Sequence, residues 1–170
     1  MTAQDIISLL DLHPLPKEGG YYRETYRSKE IFSRTAVPEK YAEDRALGTA
    51  IYYLLTPATS SALHKLPADE VFHFYLGDPV TMLQLHPDTT SDVITLGHKI
   101  DEGQKVQVVV PKGTWQGSFL QEGGAFALMG TTMAPGFDFS DYTEGIRESL
   151  LLQYPEHEEL IKRLSAPQVL

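Results

Sequence analysis

The 170-residue chain contains no cysteine. Disulfide frameworks, zinc–thiolate centres and cysteine nucleophiles are therefore excluded, and the absence fits a reducing compartment, so a cytoplasmic protein is expected. Long apolar runs are also missing. No stretch approaches the roughly 20 residues a spanning helix needs, and MTAQDIISLL lacks the basic lead and cleavage site of a signal peptide. Positive charge is scarce: 14 Lys and Arg stand against 23 Asp and Glu, a formal charge of -9. Such a chain repels phosphate backbones and anionic lipid at long range, so neither nucleic acid nor a membrane is an expected partner. Repeats, linkers and low-complexity segments are lacking too, and residues 1–170 read as one domain.

What is present is turn chemistry and alternation. Thr2 reads as an N-cap before a short helical stripe of Ile6, Ile7, Leu9 and Leu10. His13 to Gly20 reads as a loop, and YYRETYR, 21–27, as a strand. Strict alternation would put Arg23 and Arg27 on one face, a candidate anion site. Residues 28–47 read as a loop or a turn of helix. Runs at 49–55, 80–86, 93–96, KVQVVVP, TWQGSFLQ and AFALMGTTM read as short strands punctuated by Gly and Pro, the spacing of a β-sandwich or barrel. Ile146, Leu150, Leu151 and Tyr154 have helical spacing. Pro155 ends it, and Glu156 to Leu164 reads as a second short helix.

The chemistry concentrates in SSALHKLPADEVFHFYLGD, residues 60–78. If Glu70 points into a barrel, alternation sends Phe72, Phe74 and Leu76 inward and Val71, His73 and Tyr75 outward. A lone carboxylate among apolar side chains is costly unless paired. His64, entering from the preceding turn, is the expected partner. The pair is either a fragment of a metal site, a proton-transfer dyad, or two groups that only satisfy each other. For proton transfer His64 would be the base and Glu70 its orienting partner. A donor for the developing oxyanion would come from Gln116, Tyr53 or Tyr75. FDFSDY, 137–142, brings Phe137, Asp138 and Phe139 either to a wall over the barrel mouth or to a packing loop. If Gln116 faces in, Trp115 belongs to an outer layer or a dimer contact. His13, His86, His98 and His157 lie in or beside turns or in a polar helix and read as solvated.

His64 and Glu70 are separated by five residues, and Glu70 and Gly77 by six. This resembles the first motif of the cupin superfamily, with Leu66 at its second histidine position. GQKVQVVVPKGTWQ resembles the second motif through Gly103, Pro111 and Gly113, with Gln116 at the histidine position and two extra residues between Gly103 and Pro111. EGGYYRETYRS, TAIYYLL, LHKLPADEVFHFYLGDP, LGHKIDEGQKVQVVVPKGTWQGS and MAPGFDFSDY follow one another as in the uncharacterised cupin-5 group, which is similar in fold to dTDP-sugar 3,5-epimerases and germins. The resemblance implies an all-β double-stranded β-helix, a jelly-roll barrel, with short terminal helices. It also implies a homodimer that shares N-terminal strands, and no single reaction. The expected function is binding of a small polar ligand, a sugar, nucleotide or nucleotide-sugar, with epimerase- or isomerase-like proton transfer by His64 and Glu70. Gln116, Phe137 and Asp138 would contact the ligand, and Arg23 and Arg27 would receive a phosphate. The alternatives are a metal-dependent dioxygenase or isomerase, with a divalent ion on His64, Glu70 and Gln116, and a non-catalytic binding module. No cofactor is certain at this stage.

Overall fold

The computed structural model describes residues 1–37, 41 and 43–165. Thr2 caps α1 (Ala3–Leu10) through a full capping box with Asp5, which satisfies two backbone donors reciprocally. The chain then runs through β1 (His13–Pro14), β2 (Tyr21–Arg27), β3 (Ile31–Phe32), β4 (Arg45–Ala46), β5 (Thr49–Leu55) and β6 (Ser60–Lys65). It continues through β7 (Glu70–Gly77), β8 (Val80–Leu85), β9 (Ser91–Leu96), β10 (Gln107–Val110), β11 (Trp115–Leu120), β12 (Ala127–Met133) and β13 (Thr143–Glu144). It ends in α2 (Arg147–Gln153) and α3 (Glu158–Leu164), joined by a 3₁₀ turn that begins at Pro155.

Two facing sheets form a jelly-roll barrel. One has the order β1-β2-β5-β12-β7-β10, the other β13-β6-β11-β8-β9, while β3 and β4 form a separate ladder. Between the sheets Phe72, Phe74, Val80, Met82, Val108, Leu120 and Met129 fill part of the barrel. Ile6 and Leu12 pack with Leu54 and Leu128 on the back of the six-stranded sheet. Leu150, Tyr154, Ile161 and Leu164 cover the back of the other sheet against Leu63, Leu83 and Phe119. Half-buried Trp115 joins this outer layer, with the Lys65 ammonium 4.5 Å from its ring centroid. Among the described residues no helix is long and apolar enough to cross a membrane.

Three local features depart from strict alternation. In β2 the register with β5 shifts between Glu24 and Tyr26. The extra residue is a bulge, and a bulge exchanges the faces of everything beyond it. In β7 the register with β12 shifts between its Leu76 and Phe74 pairings, which moves Leu76 onto the outer layer with Leu54 and Leu128 instead of into the barrel. Finally, Ser60 to Lys65 is a strand and not a turn. Of the segment expected to be irregular, 28–47, the described part holds β3 and β4; residues 38–40 and 42 lie outside the described residues.

Candidate functional site

His64 lies on β6 and Glu70 opens β7, so the two belong to facing sheets, and residues 66–69 carry the chain across. His64 is 2% exposed. Its Nδ1 is 2.8 Å from the Ala62 carbonyl oxygen, which can only accept, so Nδ1 carries a proton. Nε2 lies 3.9 Å from Glu18 Oε2, and the ring stacks on Tyr142 with centroids 5.0 Å apart. The partner that faces His64 is thus Glu18, and the expected direct His64–Glu70 pair is replaced by a three-membered arrangement.

Glu18 is fastened to β6. Its Oε1 accepts from Ser61 Oγ at 3.0 Å, and its carbonyl accepts from the Ala62 amide at 2.8 Å. The two glycines that follow permit this approach. Gly20 has φ +73, and a Cβ there would stand 2.9 Å from the Leu54 carbonyl and the Tyr53 ring. Tyr53 in turn donates its hydroxyl to the Gly19 carbonyl at 3.0 Å. Glu18 was missed in the sequence because it sits in a loop far ahead of the His64–Glu70 spacing. The Glu-Gly-Gly run, a carboxylate held beside backbone that must come close to a neighbour, was the available signal.

Glu70 is 8% exposed. Burial is the largest influence on its carboxyl, and the Glu18 charge adds to it; His64 and a hydrogen bond with Thr131 act the other way. The balance raises its pKa from 4.5 to about 7. Glu70 and Glu18 both line a cavity of about 300 Å³ that also takes in Leu15, Thr49, Ile51, Tyr53, Leu66 and Met133. Thr131, Tyr22, Glu24, Arg27, Phe137, Asp138 and Phe139 complete its wall. Phe137 and Phe139 meet edge to face at 5.2 Å, and Tyr22 meets Phe139 at 6.5 Å. The wall position expected for Phe137, Asp138 and Phe139 is therefore where they sit. Behind Glu70 lies a void of about 10 Å³ bordered by His64, Thr114 and Gln116, close to the space one water needs. Gln116 pairs across the sheet with His64 on one side and Gln84 on the other. It is 1% exposed, and neither its Nε2 nor its Oε1 has a hydrogen-bond partner.

The arginines separate. Tyr22, Glu24 and Arg27 face the cavity, whereas the β2 bulge leaves Arg23 on the other face, 5.9 Å from the Tyr52 ring centroid. The shared anion site expected for Arg23 and Arg27 is thus corrected. Arg27 is already engaged: Nε and one terminal nitrogen bind Glu24 at 2.9 and 2.8 Å, and the latter also donates to the Phe137 carbonyl at 3.0 Å. Tyr75 is on the outside, stacked on His73, and cannot serve the cavity. His73 faces outward as expected, between Thr132 and Gln107. His13 and His98 are exposed, but His86 is tied to Asp92 and Thr114 within its own sheet region, and His157 reaches Ser91 from the helical cover.

The residues do not suit a tightly held transition metal. Leu66 packs among Val37, Tyr41, Ala68 and Met133, and Gln116 offers only a weak carboxamide oxygen. Among the described residues no group of three His, Cys, Asp or Glu side chains is placed to hold an ion.

A family model described as "Cupin superfamily (DUF985)" matches residues 4–144. The uncharacterised protein YML079W of Saccharomyces cerevisiae is 29% identical over 137 residues, 75% of this chain and 67% of its own length. The crystal structure of protein SO0799 from Shewanella oneidensis is 35% identical with a TM-score of 0.86, over 98% of this chain and 99% of that one. A hypothetical protein from Leishmania major is 30% identical with a TM-score of 0.87, over 98% and 100%. Oxalate decarboxylase from Bacillus subtilis is similar at 15% identity and a TM-score of 0.54, over 94% of this chain and 38% of that one, a likeness of fold alone.

Proposed function

The chain belongs to the DUF985 family of the cupin superfamily, and we propose that it binds a small polar ligand in the barrel cavity and moves a proton on it, with Glu70 as the group that takes and returns the proton. One observation carries this reading: a buried carboxyl in the wall of a cavity of about 300 Å³, with its pKa raised to about 7. Such a group is present both as acid and as base near neutral pH, which is what general acid–base catalysis requires. The chemistry that fits is proton abstraction next to a carbonyl and its return, the elementary step of an isomerase or epimerase. His64 stands behind Glu18 and acts as a positioning residue, through its charge on Glu70 and its contact with Glu18. Thr49 supplies the donor that a developing oxyanion needs. Its Oγ1 accepts from the Phe137 amide at 3.0 Å, so its own proton is free to be given.

Ligand identified by mass spectrometry of the purified protein, then incubated with it in deuterated water, tests the reading. Wild type is expected to place deuterium on one carbon of the ligand at a rate that rises as Glu70 ionises through about pH 7. Glu70→Gln should abolish exchange. Exchange at an unchanged rate in that variant would remove Glu70 from the role.

The dimer implied by the family resemblance is proposed here through the β2–β3–β4 region. Tyr26, Ile31, Phe32 and Leu47 are exposed together in that segment, an unusual grouping for a face that meets only water. The cytoplasm is the proposed compartment, supported by a chain with no thiol to pair.

A further inference from the structure

The reading of the barrel as a ligand site leaves the ligand's charge open, and the cavity wall speaks to it. Four carboxyl groups line the cavity, Glu18, Glu24, Glu70 and Asp138, against one guanidinium, Arg27. That guanidinium is held in two bonds by Glu24, so the rim pair is already neutral. Asp138 spends one oxygen on the Ser140 amide and keeps its charge, its pKa lowered by its hydrogen bonds to Ser140 and by the neighbouring Arg45 and Arg27. Glu18 and Glu70 face the same cavity; Glu18 accepts from Ser61 Oγ, Glu70 hydrogen-bonds with Thr131, and no cationic side chain of Lys or Arg is bonded to either among the described residues. A phosphate entering here would meet several carboxylates with one engaged arginine to offset them. It would exchange its water for the Thr49 hydroxyl and an arginine already bonded to Glu24, which is unfavourable.

The aromatic part of the wall points the same way. Phe139 meets both Tyr22 and Phe137 edge to face, and ring faces carry the negative end of the quadrupole, which attracts cations.

We infer that the ligand is a small organic cation bearing N–H groups, an amine or a protonated nitrogen heterocycle, held by Glu18 and Glu70 with its apolar part against Tyr22, Phe137 and Phe139. The inference rests on the ligand-site reading above and narrows it. Phosphorylated sugars and nucleotides are disfavoured, and uncharged polyols lose the electrostatic part of the affinity. Binding of the cation stabilises the ionised Glu70, so association near neutral pH releases a proton.

The test uses the full chain and four probes that share one ring: benzylammonium, benzyl alcohol, benzoate and benzyl phosphate, titrated calorimetrically. Benzylammonium is expected to bind about tenfold or more tighter than benzyl alcohol, and benzyl phosphate weakest of all. Glu18→Gln should weaken benzylammonium about tenfold and leave benzyl alcohol unchanged, the second result showing that the cavity is intact. In wild type, added salt should weaken the ammonium and not the alcohol, a readout that needs no variant. Equal affinity for ammonium and alcohol would overturn the charge assignment while leaving the ligand site standing. Tighter binding of benzoate or benzyl phosphate would do the same. Failure of all four to bind would overturn the cation assignment, whereas copurified ligand and deuterium exchange on it judge the ligand site and the proton-transfer role of Glu70 separately.

Discussion

Glu70 is held where its charged form has lost most of its water and gained a second carboxylate as neighbour. Its raised pKa therefore has a definite consequence for stability. A native state that prefers the proton is favoured below the ordinary carboxylate pKa of 4.5, and that advantage is lost as pH rises through about 7. At about 1.4 kcal/mol per pH unit, the full window amounts to about 3 kcal/mol. Glu70→Gln keeps the shape and removes the titration. Denaturant unfolding should show its stability relative to wild type climbing by about that amount between pH 5 and pH 8; a constant difference would contradict the raised pKa. Glu18 contributes to the shift by its charge, so Glu18→Gln should lower the Glu70 midpoint, as read from the carboxyl carbon in NMR. At this scale the motif spacing made His64, Glu70 and Gln116 legible. Glu18 was not, because the Glu-Gly-Gly run marks a close backbone approach but not the imidazole that only the folded chain brings to it.

Among the elements, the segment after β12 is fixed by a pair that no periodicity reveals. Arg45 on β4 donates to Asp141 at 2.6 Å, with both side chains nearly fully buried. This holds the 3₁₀ turn Phe139–Asp141 down, which in turn sets Phe137 and Phe139 at the cavity and Tyr142 on His64. A buried pair that loses one member leaves the other charge uncompensated, at about 3–5 kcal/mol. Arg45→Ala should lose about that much stability, and hydrogen exchange should rise first in residues 137–142; protection unchanged there would show that the pair does not anchor the turn. Strands β2, β5 and β7 to β12 were readable from Gly, Pro and alternation, and so were α1, α2 and α3, while β1, β3, β4, β6 and β13 were not. What alternation could not supply were the bulges. One inserted residue in β2 leaves every side chain's identity unchanged yet sends Arg23 and Arg27 to opposite faces.

At the level of the whole molecule, an acidic surface opposes association, while the exposed Tyr26, Ile31, Phe32 and Leu47 favour it. Sedimentation equilibrium at physiological salt, where charges are screened beyond about 8 Å, should find a dimer that a double Ile31→Asp, Phe32→Asp variant converts to monomer. A monomeric wild type would remove that proposal. The linear chain alone determined the kind of fold. Short strands cut by turn residues can bury their apolar faces only by closing two sheets on each other, and that pattern is local and repeated. It also singled out His64, Glu70 and Gln116, through spacing that a strand pair preserves. Only the tertiary structure decided their company: Glu18 under His64, Glu70 in the cavity wall, Arg27 bound to Glu24 and Arg23 outside. The reason is that charge, burial and hydrogen bonding act between residues close in space, and the partners here lie on different strands and on a loop whose approach no single stretch of sequence encodes.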